Sequence, residues 1–208
     1  LWGNHLLQPF DIRASYGPSK SLSLRANQID LAFISQFLTE SKLLSERDGE
    51  SLLGYGLTGK LENLHLLMPL EDSADNEFFL QSNIVDIEID SVRGSPEMAG
   101  LNGYVEASFD EASSVGVGFA EIESQGFSIS LPKIFSNTWE YDRVNGRLNF
   151  RLDLNDGQKL DLESSIIFVE SEAVDGQVIF SLKDQRGAGL EREAEIELMV
   201  GATRADAA

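Results

Sequence analysis

The sequence predicts a mainly β protein: a long antiparallel sheet, strongly twisted and curled into an open groove, with one short helix. Three observations lead there. Apolar residues recur at every second position in segment after segment, as in Leu148, Phe150, Leu152 and Leu154, or Val178, Phe180 and Leu182. In a strand this places one apolar and one polar face on opposite sides. Turn signals separate the segments, among them Asn145-Gly146 and Asp156-Gly157. Only one stretch follows a period near 3.6.

Taken in order, Leu6 to Ser15 reads as a strand interrupted at Pro9, and Tyr16 to Ser19 as a turn. Ser21 to Ala26 is a strand. Asp30 caps a helix expected to run to about Leu44, with Leu31, Ile34, Phe37 and Leu38 on its apolar stripe. Ile34, Phe37 and Leu38 are expected to be buried against strands at one end of the sheet. Leu57 to Met68 is a strand that stops at Pro69. Phe78 to Asp90 changes parity between Leu80 and Val85, which a β-bulge near Asn83 would reconcile. Leu101 to Phe109, Val115 to Phe119, Phe127 to Leu131, Trp139 to Val144 and Leu148 to Leu154 follow as strands. Leu160 to Phe168 reads as one strand with Ser164 at an apolar position. Val178 to Leu182 and Ala194 to Val200 complete about twelve strands. The main sheet covers about 56–200 within a single unit, 1–208. Open twisted sheets of that width curl, close or split.

Composition narrows the function classes. The 208 residues carry 35 acidic and 16 basic side chains, a net charge of −19. Such a surface repels phosphate backbones, so no nucleic-acid partner is expected. Cysteine is absent, which removes thiolate ligands, disulfides and thiol nucleophiles. No run approaches the roughly 20 apolar residues of a membrane span. The chain starts at Leu1 without Met, and is expected to be a segment of a longer protein whose targeting information lies outside it.

Individual motifs point to no catalysis. Gly54, Gly56 and Gly59 have dinucleotide-loop spacing, but the helix lies before them and a strand after, so a turn and a bulge are expected. His5 and His65 have no partner at metal-ligand spacing. Asp153 to Gly157 lacks the glycine register of a calcium loop. Trp139 and Tyr141 fit sheet packing better than a sugar platform. No metal and no cofactor are expected.

The order of segments resembles the AsmA-like superfamily, in the central region of its YhdP-type proteins. The resemblance is carried by ANQIDL at 26–31, GKLENL at 59–64, GLNGYV at 100–105, GFSISLPKIF at 126–135 and YDRVNGRLNF at 141–150. It covers about Ser21 to Leu182. It implies a periplasmic protein held in the inner membrane by an N-terminal helix outside this chain. It also implies a role in phospholipid transport toward the outer membrane and in the outer-membrane permeability barrier, and offers no catalytic motif. The expected ligand is phospholipid and the expected state monomeric. From the alternation, the lipid-facing residues are expected to be Leu80, Val105, Phe109, Val117, Phe119, Phe127, Ile129, Leu148, Phe150, Leu152, Leu154, Leu162, Ile166, Phe168, Phe180 and Leu198. The competing expectation is a closed β-sandwich that binds a protein or a carbohydrate.

Overall fold

A computed structural model describes residues 12–16, 21–40, 53–69, 77–92, 95–110, 112–133, 137–155, 158–186 and 192–205. Its strands are β1 (Ile12–Tyr16), β2 (Ser21–Asp30), β3 (Thr58–Pro69), β4 (Glu77–Ile89), β5 (Glu97–Asp110), β6 (Val115–Ser130), β7 (Trp139–Asp153), β8 (Gln158–Ser164), β9 (Ile167–Glu170), β10 (Val174–Arg186) and β11 (Arg192–Ala205). Helix α1 (Leu31–Glu40) follows β2 directly and precedes β3 in the chain. All eleven strands belong to one antiparallel sheet in chain order, with β8 and β9 in tandem between β7 and β10. Among the described residues β1 and β11 are free edges, so the sheet is open.

Each strand follows from its alternation, and the departures have local causes. Asn145-Gly146 is not a turn but lies inside β7, opposite Glu123 and Ile122 of β6. A β-carbon on Gly146 would sit 2.8 Å from Ile167 Cγ1, so this glycine lets β9 approach closely. Likewise β6 runs unbroken through the two segments read as separate strands, with Gly126 at φ 71° as a bulge between them. Leu160 to Phe168 divides into β8 and β9 instead. Asp156-Gly157 lies outside the described residues, but β7 and β8 pair as expected for a hairpin.

A band of bulges crosses the sheet. Asn63 (φ 54°) and Asp86 (φ 53°) adopt left-handed backbone, and the register shifts beside them in β3 and β4. The β4 bulge therefore lies at Asp86, not near Asn83. Ile84 and Ile87 share a face, whereas Val85 pairs with Lys60 on the other. Gly100 (φ 72°) and Gly126 continue the band into β5 and β6. Each bulge bends its strand and raises the local twist, so aligned bulges crease the sheet.

Helix α1 begins where β2 ends. Asp30 Oδ1 accepts the Phe33 N–H at 3.1 Å, the expected cap. The helix touches β2 and β3 at one end of the sheet. Ser35 is buried and Ile34 half-buried, while the side chains of Phe37 and Leu38, and residues 41–44, lie outside the described set.

Candidate functional site: an uncovered apolar face

The strand register places one apolar row across nearly the whole sheet. Leu24 faces Leu66, then Leu80, Ala107, Gly118, Phe150, Leu162, Leu182 and Ile196 in turn, from β2 to β11. A parallel row runs Ser82, Val105, Ala120, Leu148 and Ser164, and continues on β10 and β11 as Phe180 and Leu198. Below it, Phe78, Phe109, Gly116, Leu152 and Leu160 form a third, ending on Asp184. At about 4.8 Å per strand the first of these rows extends on the order of 40 Å.

Among the described residues no second sheet is layered on this face. The substantial contacts between elements run only between hydrogen-bonded strands and from α1 to β2 and β3. Even so, the buried strand residues sit on the apolar side: Ala26, Leu64, Ile87, Phe127, Val144 and Val169, with Ser82 and Ser124. Phe127, Val144 and Val169 pack with Met98, Leu101, Ile122, Ile129, Tyr141 and Ile167, drawn from β5, β6, β7 and β9. The creased sheet shelters its own apolar face without a second layer.

Serine hydroxyls on this face are turned back onto the backbone. Ser124 Oγ accepts the Asn102 N–H at 2.8 Å beside the β5 bulge. Ser82 Oγ donates toward the carbonyls of Glu62 and Asn83, at 3.0 and 2.9 Å. Ser164 Oγ accepts the Phe180 N–H at 2.8 Å. Among the described residues no buried side-chain polar atom lacks a partner. These serines repair the irregular ladder while leaving the surrounding surface apolar. Sequence reasoning passed over Ser82 and Ser124. The available signal was a serine at an inward position of an otherwise apolar strand.

The structure brings together Leu80, Val105, Phe109, Phe127, Ile129, Leu148, Phe150, Leu152, Leu162, Phe180 and Leu198 on the apolar face. It does not bring the others. Val117 and Phe119 lie on the opposite face, because β6 turns Gly116, Gly118 and Ala120 toward the apolar rows. The Arg147 guanidinium lies 3.7 Å from the Phe119 ring centroid and meets Glu121 at 3.2 Å. Phe168 also faces away, opposite Gln177 and Asn145, and is 48% exposed. The break after Ser164 shifts the parity, so Ile167 and Val169 take the inward positions. Ser165 makes that break, exchanging bonds with the Arg147 backbone through its N–H and Oγ. Ile166 lies in the break and Leu154 beyond the end of β7, both exposed.

The remaining motifs take structural places. Gly56 and Gly59 have positive φ at the entry to β3, the expected turn and bulge. His65 lies on the polar face, with Ser23 Oγ 3.3 Å from Nε2 and the Phe79 ring edge-on. His5 is outside the described residues. Asp153 accepts the Asn155 N–H at 3.0 Å, which forms a turn. Trp139 faces Ile129 and Tyr141 faces Phe127. Burial raises the Tyr141 hydroxyl above its ordinary pKa. Among the described residues no group of three His, Asp or Glu is placed to hold a metal. No described helix is long and apolar enough to cross a membrane.

Comparison of the chain with protein-family models, with curated proteins and with solved structures found no match.

Proposed function

We propose that this chain is a non-catalytic segment of a lipid carrier, whose open apolar face covers the acyl chains of a phospholipid while the headgroup stays in water. The observation that carries this reading is the apolar row from Leu24 to Ile196 on a single uncovered layer. Exposing an acyl chain to water costs about 0.8 kcal/mol per CH₂. A continuous apolar strip perpendicular to the strands offsets that cost along its whole length. A protein binder with an ordinary core has no use for such a strip. The closed sandwich needs a second sheet across this face, and all eleven strands belong to one sheet.

The AsmA-like resemblance extends the proposal. The chain then belongs to a periplasmic protein anchored in the inner membrane outside this segment, carrying phospholipid toward the outer membrane and supporting its permeability barrier. The acidic polar face is compatible with this, because the lipid lies on the other side.

Native mass spectrometry of a detergent-free preparation tests the proposal. The expected result is co-purified phospholipid at about one or more molecules per chain. Protein that is free of lipid, and stays so after incubation with phospholipid vesicles, contradicts it.

A further inference from the structure

A second site lies on the polar face, near the β1 edge. Arg13 of β1 faces Arg25 of β2, and Arg25 faces His65 of β3. Directly opposed residues have β-carbons about 5 Å apart, and like charges so placed repel. These residues line a pocket of about 420 Å³ together with Asn27, Asn63 and Gln81. Among the described residues no carboxylate lines it, in a chain with 35 acids and 16 bases. Other arginines of this sheet meet an acid: Arg143 with Glu170, Arg147 with Glu121 and Arg204 with Asp175. Arg13 and Arg25 form no ion pair among the described residues. The nearest acid along the same row, Glu106 beyond Gln81, is engaged by the Tyr104 hydroxyl at 2.9 Å.

We infer that this pocket binds a phosphate group. Two guanidinium forks present donors suited to a tetrahedral oxyanion, and a dianion neutralises both charges that now repel. Amide groups of Asn27, Asn63 and Gln81 and the ring of His65 surround the same opening. The phosphate is either that of a lipid headgroup or that of a soluble ligand. The site does not depend on the acyl-chain reading, since it lies on the other face of the sheet.

The 208-residue chain is titrated with inorganic phosphate at constant ionic strength, followed by calorimetry and by the His65 ring resonances. In a second arm it is floated with vesicles of phosphatidylcholine alone or with phosphatidylglycerol. A net charge of −19 repels anionic vesicles, so flotation there reports local recognition. Binding in either arm that weakens about tenfold in Arg13→Gln and in Arg25→Gln, but not in Arg151→Gln, supports the site. Phosphate binding without flotation assigns a soluble ligand, and flotation without phosphate binding assigns a headgroup. His65 resonances unmoved by phosphate together with no flotation overturn the proposal. So does binding that both arginine variants retain in full. All three positions are exposed and the variants are checked for an unchanged unfolding midpoint; the wild-type resonances give a reading that needs no variant.

Discussion

The ring of Phe150 lies across Gly118, where a β-carbon would collide with the tip of the ring and with the Glu106 carbonyl. The pair faces across β6 and β7 in the middle of the apolar row. A glycine weakens a strand, yet here it lets an aromatic side chain lie down on the sheet. Gly116 makes similar room, with Phe109 Cδ2 3.2 Å from the position its β-carbon would take.

Gly118→Ala is therefore expected to destabilise the fold by about 1–3 kcal/mol, read from the urea midpoint. Adding Phe150→Ala should restore none of the part due to the Glu106 carbonyl, because that clash is with backbone. Full recovery in the double variant would show that the ring alone sets the requirement.

Ser124→Ala should cost about 1–3 kcal/mol, although it makes a buried position more apolar. It leaves the Asn102 N–H at the β5 bulge without its acceptor. Amide exchange at Asn102 should accelerate. A variant as stable as the parent would mean that the bulge holds without this bond.

The alternation was legible wherever the ladder is regular. β7 with β8 keeps one register throughout, and β10 with β11 does so from Gly176 to Arg186; the apolar rows there match the reading of Leu148, Phe150, Leu152, Phe180 and Leu198. Parity failed at backbone irregularities, which leave little trace in hydropathy. Asn63, Asp86 and the Ser164–Ile167 break each shift it by one residue, and that moves Val85 and Phe168 to the polar side. In β6 the larger side chains Val117 and Phe119 looked inward-facing, whereas shape favours the glycines there. The helix cap at Asp30 was legible because it is a local bond. The Arg13–Arg25–His65 row was not, since it depends on the register of three strands.

Acid should loosen the β5–β6 turn and the end of β7. The Ser113 hydroxyl, together with the Ala112 and Ser113 N–H groups, holds Asp110 below its ordinary 3.8. The Asn155 backbone and side chain do the same for Asp153. A carboxylate lowered in the folded state stabilises it above the unfolded value, and that contribution is lost as pH falls through the lowered one. Stability should therefore be flat above about pH 5 as far as these two groups are concerned, and should fall below 3.8. Asp110→Asn should reduce the slope of denaturant midpoint against pH in that window. An unchanged slope would remove Asp110 from the account.

Charge placed on the two faces should have opposite consequences. Phe168→Asp puts a carboxylate on the polar face and should leave folding and lipid retention nearly as they are. Phe180→Asp puts one among Leu198, Val178 and Leu182, where an acyl chain cannot pass a desolvated charge. Lipid recovered with the protein should drop several-fold in Phe180→Asp alone. Equal losses in both variants would contradict the assignment of faces.

The most direct measurement is face-selective photocrosslinking to a phospholipid labelled in its acyl chain. A photoreactive residue replaces Leu148 or Phe150 on the apolar face, or Asn149 or Arg151, which alternate with them, on the polar face. The account predicts strong labelling at 148 and 150 and background at 149 and 151, an alternation that only a lipid on one face of a strand produces. Uniform labelling at all four positions, or none at 148 and 150 in folded protein incubated with the lipid, would contradict it.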